Sequence, residues 1–375
     1  MKHLSDQLKI FDSKAFRRLS DKTQVIFSMN RDAQIRSRLT HSLEVASIAK
    51  KIAMNIRTIH NYTLDPDCLF NVGLLHDYGM CAFGHLGESN LESIFSEKTN
   101  LVFEANANNL VVIEKNLPKI STLTIVSTIK YPYLFKSENN KANRKKGIYE
   151  PQYNHYFPIL EQIINQQNQY PHIDRKRTYE CDIMEIADDI AYLTSDLEDA
   201  ITSYDVSIGA DELTNYFKKF NLVNPDLFMQ LLNSIQNKNL SLLWNLRDSM
   251  IQNIHFDSKT NSFIHRENDL KKLQDVIRII DKEFYIEKFA LLETNPLIVE
   301  YKNFLREVID LTKSNPSFVA ENIIISKTYR KKYLDAISND NLNKAYKILL
   351  ITIAEWTDTT MFDKIKLLNK TKLNY

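Results

Sequence analysis

Glycine and proline are scarce in this chain, six and nine among 375 residues. So few turn formers exclude an all-β chain with many tight turns and leave little material for long flexible linkers. Three cysteines, Cys68, Cys81 and Cys181, have no paired spacing, which excludes a disulfide framework or a zinc knuckle and suits a reducing compartment. Charge nearly cancels, with 48 Lys and Arg against 47 Asp and Glu and a net charge of +1. No global field therefore draws the protein to nucleic acid or an anionic membrane. No run approaches the roughly 20 apolar residues that span a bilayer. The first residues, Met1 to Leu8, are polar where a signal peptide needs an apolar stretch. The expectation is a cytoplasmic protein with no membrane partner.

What is present reads as helix. Leu43, Ala46, Ile48, Ile52 and Ile56 predict a helix over 41–56, with Thr40 as its N-cap. A short apolar helix over 68–78 ends at His76 and Asp77. Ile183, Ile186, Ile190, Leu193, Leu197 and Ile201 give the clearest helix, over 181–203. On it Asp188, Tyr192 and Asp196 form a polar stripe beside the apolar one. Beyond 205 the pattern stays largely helical, for example over Leu227–Ile235, Leu270–Phe284 and Leu342–Met361. Residues 136–176, punctuated by Pro151, Pro158 and Pro171, are expected to hold the longest irregular loops, a candidate substrate lid. Gly79, Gly84 and Gly87 are half of the chain's six glycines and imply a tight backbone path there. The basic run from Lys141 to Lys146 reads first as a solvated loop and second as a contact for phosphates or single-stranded DNA.

Four residues in apolar, helical settings carry chemistry: His41, His76, Asp77 and Asp188. Each is weak alone. A histidine opening a helix more often caps or packs, and one of Asp188 and Asp189 is expected to face solvent. The run Val72 to Leu75, however, carries His76 and Asp77 inward, and buried polar groups need partners. Together two imidazoles and two carboxylates suit one divalent ion, with Mn, Fe, Co, Ni or Mg fitting mixed nitrogen and oxygen ligands better than a closed thiolate zinc site.

The chain resembles the HD-domain deoxynucleoside triphosphate triphosphohydrolases, in particular the bacterial deoxyguanosine triphosphatase group. The resemblance runs in order over most of residues 15–200. It begins at Arg17 to Leu19 and Lys22 to Val25 and continues through Arg36 to Val45, Gly73 to Asp77 and Phe83 to Glu88. Phe103 to Ala107, Lys130 to Pro132, Met184 to Tyr192 and Asp196 to Ala200 follow, and Thr357-Asp358 matches the end of a C-terminal family motif.

That resemblance implies an all-α HD core with additional C-terminal helices, read as one unit over 1–375. Residues 15–205 hold every metal ligand, and 206–375 complete the core and offer oligomer contacts. It implies His41, His76, Asp77 and Asp188 as ligands of one divalent ion. Arg38 and Lys130 then contact phosphates. Gln24, Tyr192 and Asp196 contact the deoxyribose, and His85 with Glu88 forms the catalytic pair. The implied reaction splits a dNTP, dGTP foremost, into deoxynucleoside and triphosphate by water attack at the α-phosphorus. Family members assemble as rings, often hexamers, so a homo-oligomer is expected. Met80 and Ala82 replace a histidine and a proline of the family's loop, which predicts a more mobile loop and one fewer phosphate contact. Two alternatives stand beside this reading. One is another HD phosphohydrolase, acting on a dNMP, a cyclic nucleotide or an alarmone. The other is a weakly active member that senses dNTPs or binds single-stranded DNA.

Overall fold

Helix makes up 73% of the computed structural model, which describes residues 2–24, 36–135, 146–168, 175–203, 208–280, 282 and 294–372. The protein is therefore all-α. Residues 141–145 of the basic run, Val25 and Pro171 lie outside the described residues.

The N-terminal helices α1 (Lys2–Asp12) and α2 (Lys14–Arg18) lead to α3 (Arg38–Ile56) and α4 (Pro66–Leu75). Ser37, rather than Thr40, caps α3: its hydroxyl accepts the Thr40 amide at 3.4 Å. The helix therefore opens at Arg38, which puts both Arg38 and His41 in its first turn. Asp65 caps α4 by accepting from the Asp67 and Cys68 amides at 2.9 and 3.2 Å, and Pro66 follows with its φ already helical. Such a cap is worth about 1 kcal/mol. Next come α5 (Gly84–Thr99), α6 (Ala105–Asn116), α7 (Thr122–Val126), α8 (Glu150–Gln167) and the long α9 (Tyr179–Ser203).

Helix α8 corrects the expectation of irregular loops within 150–167; residues 136–145 and 169–174 of that stretch lie outside the described residues. Pro151 sits in the first turn, where a missing N–H costs nothing, and Tyr156, Leu160, Ile164 and Gln167 bury one face. Pro158 is accommodated inside the helix.

The C-terminal half adds α10 (Ala210–Lys219), α11 (Pro225–Gln236), α12 (Leu240–Asn253), α13 (Asn268–Ile280), α14 (Pro296–Ser314), α15 (Lys327–Ser338), α16 (Leu342–Ala354) and α17 (Asp358–Lys372). A hairpin of β3 (Ile254–Asp257) and β4 (Ser262–His265), antiparallel with Ile254 opposite His265, interrupts the helices. A smaller one pairs β1 (Thr58–Ile59) with β2 (Tyr62–Thr63). The helix expected over Leu342–Met361 is two. It breaks at 355–357, where the Thr357 hydroxyl accepts the Thr360 amide at 3.2 Å and starts α17.

Three apolar cores organise these elements. The first joins α3, α4 and α9 to α10–α13. The second joins residues 80–83 and α5 to α14–α17. The third joins α1, α2, α4 and α6–α8. Helices α3 and α4 cross closely: a Cβ on Gly73 would lie 2.5 Å from the Ala46 Cα. Only glycine permits that approach, and the approach brings His41 and His76 together.

Residues 80–83, where the sequence predicts a more mobile loop, are packed into the interior. Met80, Cys81, Ala82 and Phe83 are all buried, packed with Tyr301, Phe304 and Trp356 in the second core. The apolar replacements turn this segment into core.

Candidate active site

His41 on α3, His76 at the end of α4 and Asp188 in the middle of α9 converge. Asp188 Oδ1 lies 3.0 Å from His41 Nε2 and 3.5 Å from His76 Nε2. The two rings are 5.3 Å apart at their centroids. His76 Nδ1 sits 2.7 Å from the Gly73 carbonyl oxygen. A carbonyl only accepts, so Nδ1 carries a proton and Nε2 is the nitrogen turned toward Asp188. That Nε2 is buried and has no hydrogen-bond partner among the described residues. A buried, unpartnered ring nitrogen beside a second imidazole and a carboxylate is the donor set a metal requires, so these residues fit a divalent ion.

Asp77 stands at the edge of the trio. Its Oδ2 is 3.6 Å from His76 Nε2 and is engaged by the Arg38 guanidinium. Burial pushes its carboxyl up, but His76, Arg38 and Lys130 outweigh burial and hold it below the usual range. Asp188 behaves alike: burial opposes ionisation, and Lys130 and His76 overcome it. Lys130 Nζ lies 2.8 Å from Asp188 Oδ2 and 3.1 Å from Glu185. Burial favours its neutral amine, but Asp188 and Glu185 prevail and fix it as a cation. Of the two adjacent aspartates, Asp189 is the exposed one, paired with Arg278 at 3.4 Å.

A cleft of about 660 Å³ opens over this cluster, a size that suits a drug-sized or nucleotide-sized ligand. It is lined by His41, His76, Asp77, Asp188, Arg38, Lys130, Gln24, Tyr192, His85 and Glu88. Asp196 does not line it. That residue is buried two turns beyond Asp188, with its Oδ2 unpartnered among the described residues. Burial and then the charge of Asp199 raise the Asp196 carboxyl well above the ordinary range. Residues the sequence reading did not single out, Glu185, Asn106, Ser89 and Tyr131, also form the wall, together with Lys146 from the end of the basic run. The Lys146 ammonium lies over the Tyr131 ring, 4.8 Å from its centroid.

His85 is on the first turn of α5, its side chain 78% exposed to the cleft, with Nδ1 3.2 Å from Glu88 Oε2. The other Glu88 oxygen accepts the Ala105 amide at 2.9 Å. Burial alone would raise the Glu88 carboxyl, and these hydrogen bonds bring it below the usual value. Helix α5 starts at Phe83, which has φ +62°, and Gly84, with φ +58°. Gly87 allows the turn to close, since a Cβ there would sit 1.9 Å from the Ala82 oxygen.

Behind this wall Lys22 is wholly buried, donating to the Met80 carbonyl and, at 3.5 Å, to that of Ala354. Burial, then Arg18, lowers its ammonium to about 8. Below that pH both folded and unfolded chains carry the proton, and the fold bears the full cost of a buried charge. Between about 8 and 10.5 only the unfolded chain is protonated, so stability rises with pH. The gain attributable to Lys22 is about 3 kcal/mol. Urea unfolding at pH 7.5, 9 and 10.5 should show this rise in the wild type and its loss in Lys22→Met; parallel curves would refute it.

Residues 38–193 match the HD domain family model. Curated relatives carry the name deoxyguanosinetriphosphate triphosphohydrolase-like protein. One from Corynebacterium glutamicum is 34% identical over 210 residues, covering 53% of this chain and 45% of its own. One from Listeria monocytogenes is 32% identical over 255 residues, covering 54% and 51%. One from Rickettsia typhi is 29% identical over 298 residues, covering 71% and 70%. The match thus spans about half the length of the first two relatives. No described helix is long and apolar enough to cross a membrane.

Proposed function

From the match of residues 38–193 to the HD domain, we propose that the chain hydrolyses a dNTP, dGTP foremost, to deoxynucleoside and inorganic triphosphate. The observation that carries the reading is one cleft that joins the His41, His76 and Asp188 trio to three cations, Arg38, Lys130 and Lys146, and to the His85–Glu88 pair. Three cations in one wall suit a polyanion with several phosphates better than a single phosphate.

His41, His76 and Asp188 would hold the ion, with Asp77 beside them. Such an ion supplies positive charge at the phosphates and activates water for attack on phosphorus. Arg38 and Lys130, fixed by carboxylates, offer charge that needs no reorganisation as charge builds on the phosphoryl oxygens. His85, oriented through Nδ1 by Glu88, gives a proton to the departing 5′-oxygen. Tyr192 packs against C2′ of the sugar. Gln24, which lines the cleft and has a buried oxygen unpartnered among the described residues, is the sugar's polar partner; Asp196, buried outside the lining, is left without that role. We further propose that residues 1–375 act as one unit, with 15–205 as catalytic core and 206–375 completing it and forming homo-oligomer contacts.

The test is incubation with each of the four dNTPs and Mn or Mg, with products resolved by chromatography. Intact triphosphate is the expected product. Release of orthophosphate or pyrophosphate, or no metal-dependent turnover, would overturn the reading in favour of another HD phosphohydrolase or a nucleotide sensor. The sugar assignment has its own test. An aromatic ring against C2′ leaves no room for a hydroxyl, so Tyr192→Ala should lower the dGTP-to-GTP ratio of kcat/KM by about tenfold or more. A constant ratio would remove Tyr192 from sugar recognition.

A further inference from the structure

Asp358, the first residue of α17, reaches two walls of the cleft at once. Its Oδ2 accepts from the Thr23 amide at 2.8 Å and the Thr23 hydroxyl at 2.5 Å. Its Oδ1 accepts the Phe83 amide at 2.8 Å. The group is 8% exposed, so these bonds form largely away from water, where they are charge-assisted and strong.

Both tethered residues adjoin functional side chains. Thr23 precedes Gln24, whose carbonyl accepts from Arg38 Nη2 at 3.3 Å, and the Arg38 amide donates to the Lys22 carbonyl at 3.1 Å. Thr23 also bridges to Ser37, the cap of α3. Phe83 holds the left-handed conformation that launches α5 and so places His85. A non-glycine residue there costs about 1 kcal/mol or more and persists only where its surroundings impose it. The two walls meet at Gly84, where a Cβ would come 3.3 Å from the Gln24 oxygen and 3.4 Å from Arg38 Nη2. The approach at Gly84 is close, so slippage at Phe83 would shift the start of α5, and with it His85, relative to Arg38.

We infer that Asp358 is a positioning residue: one carboxylate from the C-terminal helices fixes the spacing between the Gln24–Arg38 wall and the His85 wall. It would give the C-terminal helices a part in a site whose lining residues all lie before position 200. Its kinetic consequence rests on the function proposed above; its structural consequence does not.

The test uses the full chain with Asp358→Asn, Asp358→Glu and Thr23→Val. Asparagine keeps the shape, but its NH₂ must confront an N–H donor at Thr23 or Phe83. Amide hydrogen exchange over 79–91 should quicken about tenfold or more in Asp358→Asn, and less in Thr23→Val, which loses only the hydroxyl. Exchange over 44–52, inside α3, should stay unchanged. Turnover of a dNTP to triphosphate should fall about 10²-fold with KM changed less than about threefold, because a misplaced acid hurts the transition state more than binding. Asp358→Glu should recover part of both. Equal quickening over 44–52 and 79–91 would mean general destabilisation and overturn the inference. So would unchanged exchange over 79–91 in either folded variant. If Asp358→Asn fails to fold, Thr23→Val decides. If wild-type protein turns over no dNTP, the proposed function falls and the exchange data alone judge Asp358.

Discussion

Asp188→Ala should abolish divalent-metal binding and reduce metal-dependent turnover to background. Asp188 is the carboxylate that both imidazoles reach, at 3.0 and 3.5 Å, so alanine leaves two imidazoles and no anion between them. Asp77 is less well placed to replace it, because its carboxylate is engaged by Arg38 and lies 3.6 Å from His76. With Mn as the probe, titration calorimetry should show affinity lowered by at least about 100-fold, a loss at the upper end of that seen even for outer-sphere changes. A second reading comes from melting. An ion that binds only the folded chain adds RT ln(1 + [L]/Kd), about 2.7 kcal/mol at 100 Kd. The Mn-induced rise in Tm should therefore vanish in Asp188→Ala. The variant without Mn should also melt below wild type, since the buried Lys130 would lose the carboxylate that lies 2.8 Å from its Nζ. An unchanged Mn isotherm in Asp188→Ala would dismantle the site.

How much of this was legible beforehand depends on the physical scale of each signal. His41, His76 and Asp188 could be read because each polar group interrupts an apolar helical period, and burial then demands a partner. Asp77 and Asp196 show the limit of that argument. Periodicity puts Asp196 on the stripe of Asp188 and Tyr192, but the cleft wall ends before it. Glu185 lies three residues before Asp188 on the same helix, a spacing open to inspection, yet its contact with Lys130 is tertiary. Lys146 was visible as the end of a basic run, and nothing local separates a solvated lysine from one that lines a cleft. Helix α8 was hidden by its prolines. Pro151 falls in the first turn, and the four-residue steps of Tyr156, Leu160 and Ile164 were there to be found among the polar residues. The β3–β4 hairpin and the break before α17 arise from packing and capping that no periodicity encodes. Asp358 could be matched by motif, but its tie to Thr23 and Phe83 spans the whole chain.

His85→Ala carries the second large effect, and it separates chemistry from binding. The ring contributes little to the fold: its side chain is 78% exposed, and its described partner is Glu88, which also holds the Ala105 amide. Its removal should leave Tm within about a degree of wild type, as for surface substitutions away from structural contacts. Mn binding should persist, because His85 is not one of the trio. Nucleotide affinity should change little, since Arg38, Lys130 and Lys146 remain in the wall. Turnover should drop by about 10²–10⁴, the usual cost of losing a positioned acid. Glu88→Gln should show a smaller loss, because the ring stays but its orienting carboxylate does not. A stable His85→Ala protein that binds dNTP and Mn normally and still releases triphosphate at the wild-type rate would strip His85 of its role. The 5′-oxygen would then take its proton from water, and the cleft's catalysis would reduce to electrostatics alone.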